Sequence, residues 1–231
     1  MKTAVNFYFL IVSFFVASSY AQTSNLAGPY GQIGVGYQNT SPSFSNTSLV
    51  ALGQSLNPNI SVSNSSGTTG VISAGYNFSL APSLLIGLGL DFSPFSTQSA
   101  TASASYSGPI GSYQNSASVY IKNTLNLFLS PGIALDQNKL IYAKVGYTGA
   151  SANGVNTDFY MGGTSFGFGY KQIISSGVYG FAEYNYVNYG SLSRSLSGNL
   201  VTPTKLSVPA TLTSTVSATS TNLLIGLGYR F

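Results

Sequence analysis

The chain ends with the segment Leu223-Leu224-Ile225-Gly226-Leu227-Gly228-Tyr229-Arg230-Phe231. Read with the two-residue period of a β-strand, its odd-numbered residues form an entirely apolar face, whereas the other face carries two glycines and an arginine. An open edge strand with such a face would promote aggregation of a soluble protein. Closing the sheet into a barrel removes the edge and lets lipid cover the apolar face. The terminal segment therefore predicts a transmembrane β-barrel.

The amino terminus has the pattern of a secretory signal peptide. Met1-Lys2 precedes an apolar run from Phe7 to Val16, and the small residues Ser19 and Ala21 occupy the two cleavage-recognition positions. We therefore expect residues 1–21 to be a signal peptide and residues 22–231 to form a single barrel domain. Export together with a terminal phenylalanine predicts a location in a bacterial outer membrane.

The composition agrees with a protein whose main solvent is lipid. Only 5% of the residues are charged and 44% are hydrophobic, with 17 Tyr and 14 Phe; an ordinary soluble domain has roughly 25% charged residues. After the predicted signal peptide, no run approaches the roughly 18 apolar residues that a spanning helix needs. A membrane protein of this composition must span with strands. Its sparse positive charges form no clustered patch, so nucleic acid is excluded as a partner.

Alternation of apolar and polar residues predicts the architecture. The class is all-β, an antiparallel up-and-down transmembrane β-barrel of eight strands. The predicted strands cover residues 29–38, 69–80, 84–92, 117–135, 140–149, 163–173, 178–189 and 223–231. Short turns alternate with four long connections rich in Ser, Thr, Asn and Gly, which we expect to be surface loops: residues 39–68, 94–116, 150–162 and 190–219. Alternation between Leu206 and Val216 keeps ten strands open as the alternative.

Glycine recurs on the polar face of the predicted strands. Gly-Tyr pairs begin at residues 36, 75, 146, 169 and 228, and Gly-x-Gly triplets begin at residues 34, 87, 167 and 226. In a narrow barrel, inward glycines leave room for large neighbouring side chains and help the sheet to curve. The aromatic rings expected to point outward are those of Tyr30, Tyr37, Tyr76, Phe78, Phe92, Tyr147, Phe166, Phe168, Tyr184, Tyr186 and Tyr229.

The charged residues of the strands fall on the polar face. We expect Asp91, Lys122, Tyr142, Lys144 and Glu183 to form a polar network in the lumen, with Lys144 and Glu183 as an ion pair, because a charge facing lipid at mid-depth costs about 2–4 kcal/mol for Lys or Arg. Lys171 and Arg230 share this face.

Catalytic chemistry has few candidates in this chain. There is no His and no Cys, so Ser-His-Asp, Cys-His and His-containing metal sites are excluded. A catalytic carboxylate pair would need Asp91 and Glu183 to converge, and structural lumen charges are the favoured interpretation. Asn153, Asn156 and Asp158 form a weak calcium-like pattern that an Asn/Gly turn explains better. We expect no catalytic, cofactor or metal site and hence no enzyme.

Several segments of the second half resemble a known family. Residues 129–135, 140–147, 167–170 and 182–187 are similar to the small outer-membrane β-barrels that include opacity-type proteins and the barrel domain of outer-membrane protein A. The resemblance implies the barrel fold. It also implies that the ending, with Gly226, Tyr229 and Phe231, is the signal read by the barrel-assembly machinery.

Two functions remain open at this level. The first is a non-enzymatic surface barrel, expected to be monomeric, whose loops bind surface ligands or serve adhesion, shielding or envelope integrity. The alternative is a narrow porin-like channel with mild anion preference, because inward glycines and basic side chains could leave a wet path. An eight-stranded interior is just wide enough for side chains to fill it, which favours the closed barrel. The expected partners are outer-membrane lipid and the assembly machinery.

Deletion of Phe231 is expected to impair assembly more than final stability, because this residue ends the closing strand and occupies a position of the assembly signal. The level of folded protein in the outer membranes of cells should fall, whereas refolding of the purified variant into lipid vesicles should be nearly unchanged. An unchanged level in cells would show that the role implied by the resemblance is wrong.

Overall fold

A computed structural model describes residues 24–154 and 157–231, and the predicted signal peptide lies outside them. The described residues form eleven antiparallel strands in one sheet. The strands are β1 (Gly28–Ala51), β2 (Gln54–Leu56), β3 (Asn59–Val62), β4 (Ser65–Ala81), β5 (Leu84–Ser93), β6 (Ala100–Gly108), β7 (Gly111–Asp136), β8 (Lys139–Gly154), β9 (Thr157–Ser175), β10 (Val178–Val201) and β11 (Ser207–Arg230). The described residues contain no helix that is long and apolar enough to cross a membrane.

Eight of the strands close into a ring. Their order around it is β1, β4, β5, β7, β8, β9, β10 and β11. The ring closes where β1 pairs with β11, from Tyr30 opposite Arg230 to Ala51 opposite Ala210. The predicted antiparallel barrel is confirmed, with eight strands in the closed part. The short strands β2, β3 and β6 lie in the connections between ring strands.

The outer face of the ring is an apolar belt. Large apolar side chains are exposed on every ring strand, at the positions that the alternation predicts: Ile33, Val35, Ile72, Phe78, Leu88, Leu90, Leu125, Leu127, Ile141, Val145, Phe166, Phe168, Tyr184, Leu223 and Ile225. Of the rings predicted to point outward, all are exposed except the half-buried Tyr186 and the buried Tyr30. Tyr30 is only 3% exposed. The prediction for it is wrong because it shares the phase of Gln32 and points into the lumen.

The recurring glycines make room for aromatic rings inside the barrel. A Cβ at Gly75 would lie 2.6 Å from the Tyr30 hydroxyl oxygen, and one at Gly34 would lie 2.8 Å from Cζ of Phe181. Cβ atoms at Gly169 and Gly228 would likewise collide with the rings of inward tyrosines. For these four glycines the predicted reason is confirmed: an inward aromatic ring occupies the space that a side chain at the glycine would fill.

The strands extend much farther at one end of the barrel than at the other. At one end the ring strands are joined by two-residue turns at residues 82–83, 137–138 and 176–177. At the other end most residues of the predicted long loops continue the strands, so that β10 and β11 run on to a short turn at residues 202–206. We call this end the extension; it comprises residues 41–64, 94–122, 150–154, 157–162 and 190–219.

Short polar side chains stabilise the extension as a sheet. Hydroxyl groups bond across neighbouring strands, as between Ser103 and Ser116 and between Ser195 and Thr213, each at 2.9 Å. Such cross-strand pairs contribute roughly 0.2–1 kcal/mol each. The abundance of Ser and Thr predicts surface loops in these segments, and this prediction is wrong for most of them because the hydroxyl groups pair across β-strands.

Gly75→Ala is expected to destabilise the barrel by about 1–3 kcal/mol, because the added methyl group would overpack the lumen between the Tyr30 ring and the Leu88 carbonyl. Gly31→Ala is the matched control: the nearest atoms to its Cβ would lie 3.9 Å away. Urea unfolding in lipid vesicles measures both variants. Equal losses would show that the inward glycines are not required by lumen packing.

Candidate functional site

An ion triad crosses the lumen. Lys144 on β8 places its Nζ 2.6 Å from Asp91 Oδ2 on β5 and 2.7 Å from Glu183 Oε1 on β10. The side chains of Lys144 and Glu183 are only 2% and 3% exposed. One ammonium group therefore links three strands, and β5 lies on the other side of the barrel from β10.

Further hydrogen bonds bind the carboxylate oxygens of this triad. The Tyr142 hydroxyl donates to Glu183 Oε2 at 2.7 Å, and Asn185 Nδ2 donates to Glu183 Oε1 at 2.7 Å. Asn126 Nδ2 donates to Asp91 Oδ2 at 3.1 Å. A buried ion pair repays its desolvation cost only with such additional bonds. The triad is thus the centre of a polar network that spans the lumen.

A second buried cation is enclosed by aromatic rings. Lys171 Nζ lies 3.9 Å from the ring centroid of Tyr30, 5.1 Å from that of Tyr179 and 5.2 Å from that of Tyr142. A desolvated cation–π contact contributes about 2 kcal/mol. Tyr142 therefore joins the Lys171 cage to the triad, because its ring lies beside Lys171 and its hydroxyl donates to Glu183. Sequence alternation placed Lys171 in the lumen, but the cage was missed because Tyr30 was assigned to the wrong face.

Lys122 does not join the network, and this predicted position is wrong. A register shift lies between Lys122 and Leu125, with Asn123 at a φ of 51°. This β-bulge inverts the alternation, so Ile121 is buried while Leu125 is exposed. Lys122 instead forms a 2.9 Å ion pair with Asp158 in the extension. The sequence prediction assumed one unbroken alternation over residues 117–135 and therefore did not include the bulge.

Of the predicted oxygen cluster, Asn156 lies outside the described residues, and Asp158 is bound by protein donors. Asn153 Nδ2 donates to Asp158 Oδ1 at 2.6 Å, and Lys122 binds Oδ2. These hydrogen bonds, that of Asn153 first, lower the pKa of the Asp158 carboxyl below its ordinary value. No group of three or more His, Cys, Asp or Glu side chains that could hold a metal ion occurs in residues 24–154 and 157–231.

The proposed assembly residues lie at the seam of the ring. The Phe231 N–H donates to the Pro29 carbonyl at 3.0 Å, and the Phe231 ring packs edge-on against Tyr229 with centroids 5.1 Å apart. Phe231 is 72% exposed. Gly226 lies on the inner face, where a Cβ would lie 2.6 Å from Cε1 of Phe181. The two aromatic members of the motif therefore face lipid together, and the glycine serves packing.

Two cavities lie beyond the network, towards the extension. The first, about 50 Å³, adjoins the network and is lined mostly by polar residues, among them Asp91, Asn126 and Asn185. The second, about 190 Å³, lies within the extension and is largely apolar. Towards the short turns the lumen is filled by a cluster of buried side chains: Leu26, Tyr30, Leu85, Leu140, Tyr142, Tyr179, Phe181 and Leu224.

A closed ring of strands with an apolar belt outside and a charged network inside defines an integral outer-membrane β-barrel. The chain belongs to the outer membrane protein beta-barrel domain family, whose family model matches residues 7–231. The protein is therefore located in the bacterial outer membrane. No curated protein matches the chain.

A solved structure of an outer-membrane protein shares the fold. OprG from Pseudomonas aeruginosa superposes with a TM-score of 0.59 at 14% identity, over 91% of this chain and 99% of that chain. Neisserial surface protein A has a TM-score of 0.48 at 15% identity, over 89% and 98% of the two chains. The outer-membrane protease OmpT from Escherichia coli has a TM-score of 0.47 at 10% identity, over 93% and 100%.

The prediction that the chain is not an enzyme is wrong, because the fold does not exclude enzymatic activity. A protease, OmpT, is among the barrels that the chain resembles, so membership of this fold does not rule out catalysis. At 10% identity the likeness assigns no activity to this chain. In this structure Asp91 and Glu183, the candidate carboxylate pair, both bind Lys144.

Lys144→Met is expected to cost about 3–5 kcal/mol of unfolding free energy, because it leaves two buried carboxylates without their cation. Adding Glu183→Gln and Asp91→Asn should recover part of this loss. Urea unfolding in lipid vesicles measures the coupling between the three sites.

Lys139→Met is the control for this cycle. It removes a Lys–Asp pair whose side chains are 43% and 48% exposed, and solvent screening leaves such a surface pair little effect on stability. Additive losses at the three lumen positions would show that the triad does not act as a unit.

Proposed function

We propose that this protein is a surface barrel that acts outside the membrane through its extension and does not conduct solutes through its lumen. The proposal rests on two buried cations in the lumen. Lys144 binds Asp91 and Glu183, and Lys171 lies among the rings of three tyrosines.

The ion triad and the Lys171 cage together plug the lumen, and this plug is costly to open. Moving Lys144 aside would separate it from both carboxylates in a low-dielectric interior, and a buried charge without its partner costs several kcal/mol. The ring of eight strands leaves an interior that side chains can fill completely. A channel would require both cations and their tyrosine partners to leave the cross-section together, which favours a closed barrel over the porin-like alternative.

The extension has the properties of a binding surface. It carries strands well beyond the apolar belt, and hydrogen bonds between strands hold them in fixed positions. A surface that is ordered before binding loses less conformational entropy when a ligand binds. Adhesion, shielding and envelope integrity all require such an exposed, ordered surface, so this proposal assigns the functional contacts to the extension.

The proposed partners follow from the same surfaces. Lipid covers the apolar belt, and the seam with Phe231 and Tyr229 is offered to the assembly machinery. Because every strand of the ring presents apolar side chains to lipid, no side of the barrel stands out as a subunit interface. We therefore propose a monomer.

In planar lipid bilayers the protein is expected to show no steady conductance. Replacing Tyr30, Tyr142 and Tyr179 together by alanine should open the lumen, because these rings fill its cross-section around Lys171, and should produce discrete conductance steps. The control replaces the lipid-facing Tyr37, Tyr76 and Tyr147 by alanine and should stay silent. Steady conductance of the unaltered protein would overturn the closed barrel in favour of a channel.

A further inference from the structure

We propose that the apolar cavity in the extension binds a small amphiphile with an apolar body of about one aromatic ring and a single carboxylate group. This inference rests on the proposed function, since it assigns a ligand class to the extension. We call this cavity the chamber.

Two walls enclose the chamber. One wall is formed by β1, β11 and β10, and the other by β3, β6 and β7; both rise above the hairpin of β8 and β9. Within the ring, β8 and β9 separate β7 from β10, but β8 ends at Gly154. Beyond that point β7 and β10 are paired only where Val201 lies opposite Ser112.

This arrangement gives the chamber an opening at its side. Between Gly154 and the Val201–Ser112 contact, no described strand covers the gap between β7 and β10. The chamber reaches this gap, because its lining includes Asn115 on β7, Gly154 on β8 and Arg194 on β10. A ligand can therefore approach from the aqueous side without crossing the plugged lumen.

The residues that line the chamber determine the size and apolar character of the ligand's body. Large apolar side chains come from both walls, including Phe44, Ile60 and Leu212, while Ala102, Ala104 and Ala117 leave the space between them open. The chamber has a volume of about 190 Å³. An engineered apolar cavity of roughly 150 Å³ holds benzene, so this volume suits one ring or a short acyl chain.

Arg194 sets the charged part. The chain has only four acidic residues, and each of them is engaged by a lysine: Asp91 and Glu183 by Lys144, Asp136 by Lys139, and Asp158 by Lys122. The guanidinium of Arg194 instead lies 4.8 Å from the ring centroid of Phe159, and both residues line the chamber.

A carboxylate is the anion that this geometry fits. A guanidinium stacked on an aromatic face keeps the N–H groups along its edge free, and that edge binds carboxylates through two parallel hydrogen bonds. The anionic group would bind at the exposed Arg194 while the ring enters the apolar space beside Phe159. A neutral apolar molecule would leave the guanidinium unused, and a purely polar anion would leave the apolar lining unused.

The test uses the full protein in lipid nanodiscs, with 4-(trifluoromethyl)benzoate as the probe and its ¹⁹F NMR signal as the readout. Saturable binding beyond that of empty nanodiscs is expected. Arg194→Gln should weaken it about tenfold or more, which corresponds to roughly 1.4 kcal/mol, the lower end of a charge-assisted hydrogen-bond contribution. Ala104→Phe should abolish binding by filling the chamber.

Lys205→Gln is the matched control. Lys205 also lies in the extension and also lacks a carboxylate partner among the described residues, but it does not line the chamber. Binding by this variant should equal that of the unaltered protein. Ala117→Leu provides a second, milder filling variant should Ala104→Phe fail to fold into the barrel.

Three results would overturn the proposal: no saturable binding, equal affinity for the neutral probe trifluoromethylbenzene, or equal loss on Arg194→Gln and Lys205→Gln. The bilayer measurement separates this inference from the proposed function. A barrel that neither conducts nor binds the probe overturns the ligand assignment alone, whereas a conducting barrel overturns the closed lumen, whether or not the probe binds.

Discussion

The structure depends on one constraint: within lipid, every backbone N–H and C=O group must be bonded inside the protein. A sheet meets this requirement only when its first and last strands pair. Here β1 and β11 form that seam along nearly their whole lengths, with a single register irregularity between Ser45 and Ser48. The terminal strand with its apolar face is thus one of the two strands whose pairing closes the ring.

Closure at eight strands determines what the interior can contain. Towards the short turns the interior is narrow enough for side chains to fill it, and rings from Tyr30, Tyr142, Tyr179 and Phe181 pack together there. Inward glycines are the geometric counterpart of these rings. The two lysines are tolerated because carboxylates, amides and aromatic faces compensate their desolvation in the same layer. Packing and electrostatics in the lumen therefore have one cause.

The constraint ends where lipid ends, and the architecture changes there. Above the belt, water can bond an unpaired strand edge, so the ring no longer needs to stay closed. It separates into two walls that are paired directly at Val201 and Ser112. The chamber and its side opening exist only in this region. In the proposed function, the lumen is closed within the membrane and the partly apolar site lies outside it.

The sequence by itself determined the strands of the ring, the face that meets lipid, the glycine pattern and the convergence of Lys144 with Glu183. All of these follow from the local two-residue alternation and from the free-energy cost of exposing charge to lipid.

Only the tertiary structure decided the rest. The bulge at Asn123 removed Lys122 from the lumen, and pairing between distant strands turned Ser- and Thr-rich segments into sheet. The cage around Lys171 and the chamber beside Arg194 join residues far apart in the chain. Register between distant strands is a property of the closed ring, and alternation within one strand does not encode it.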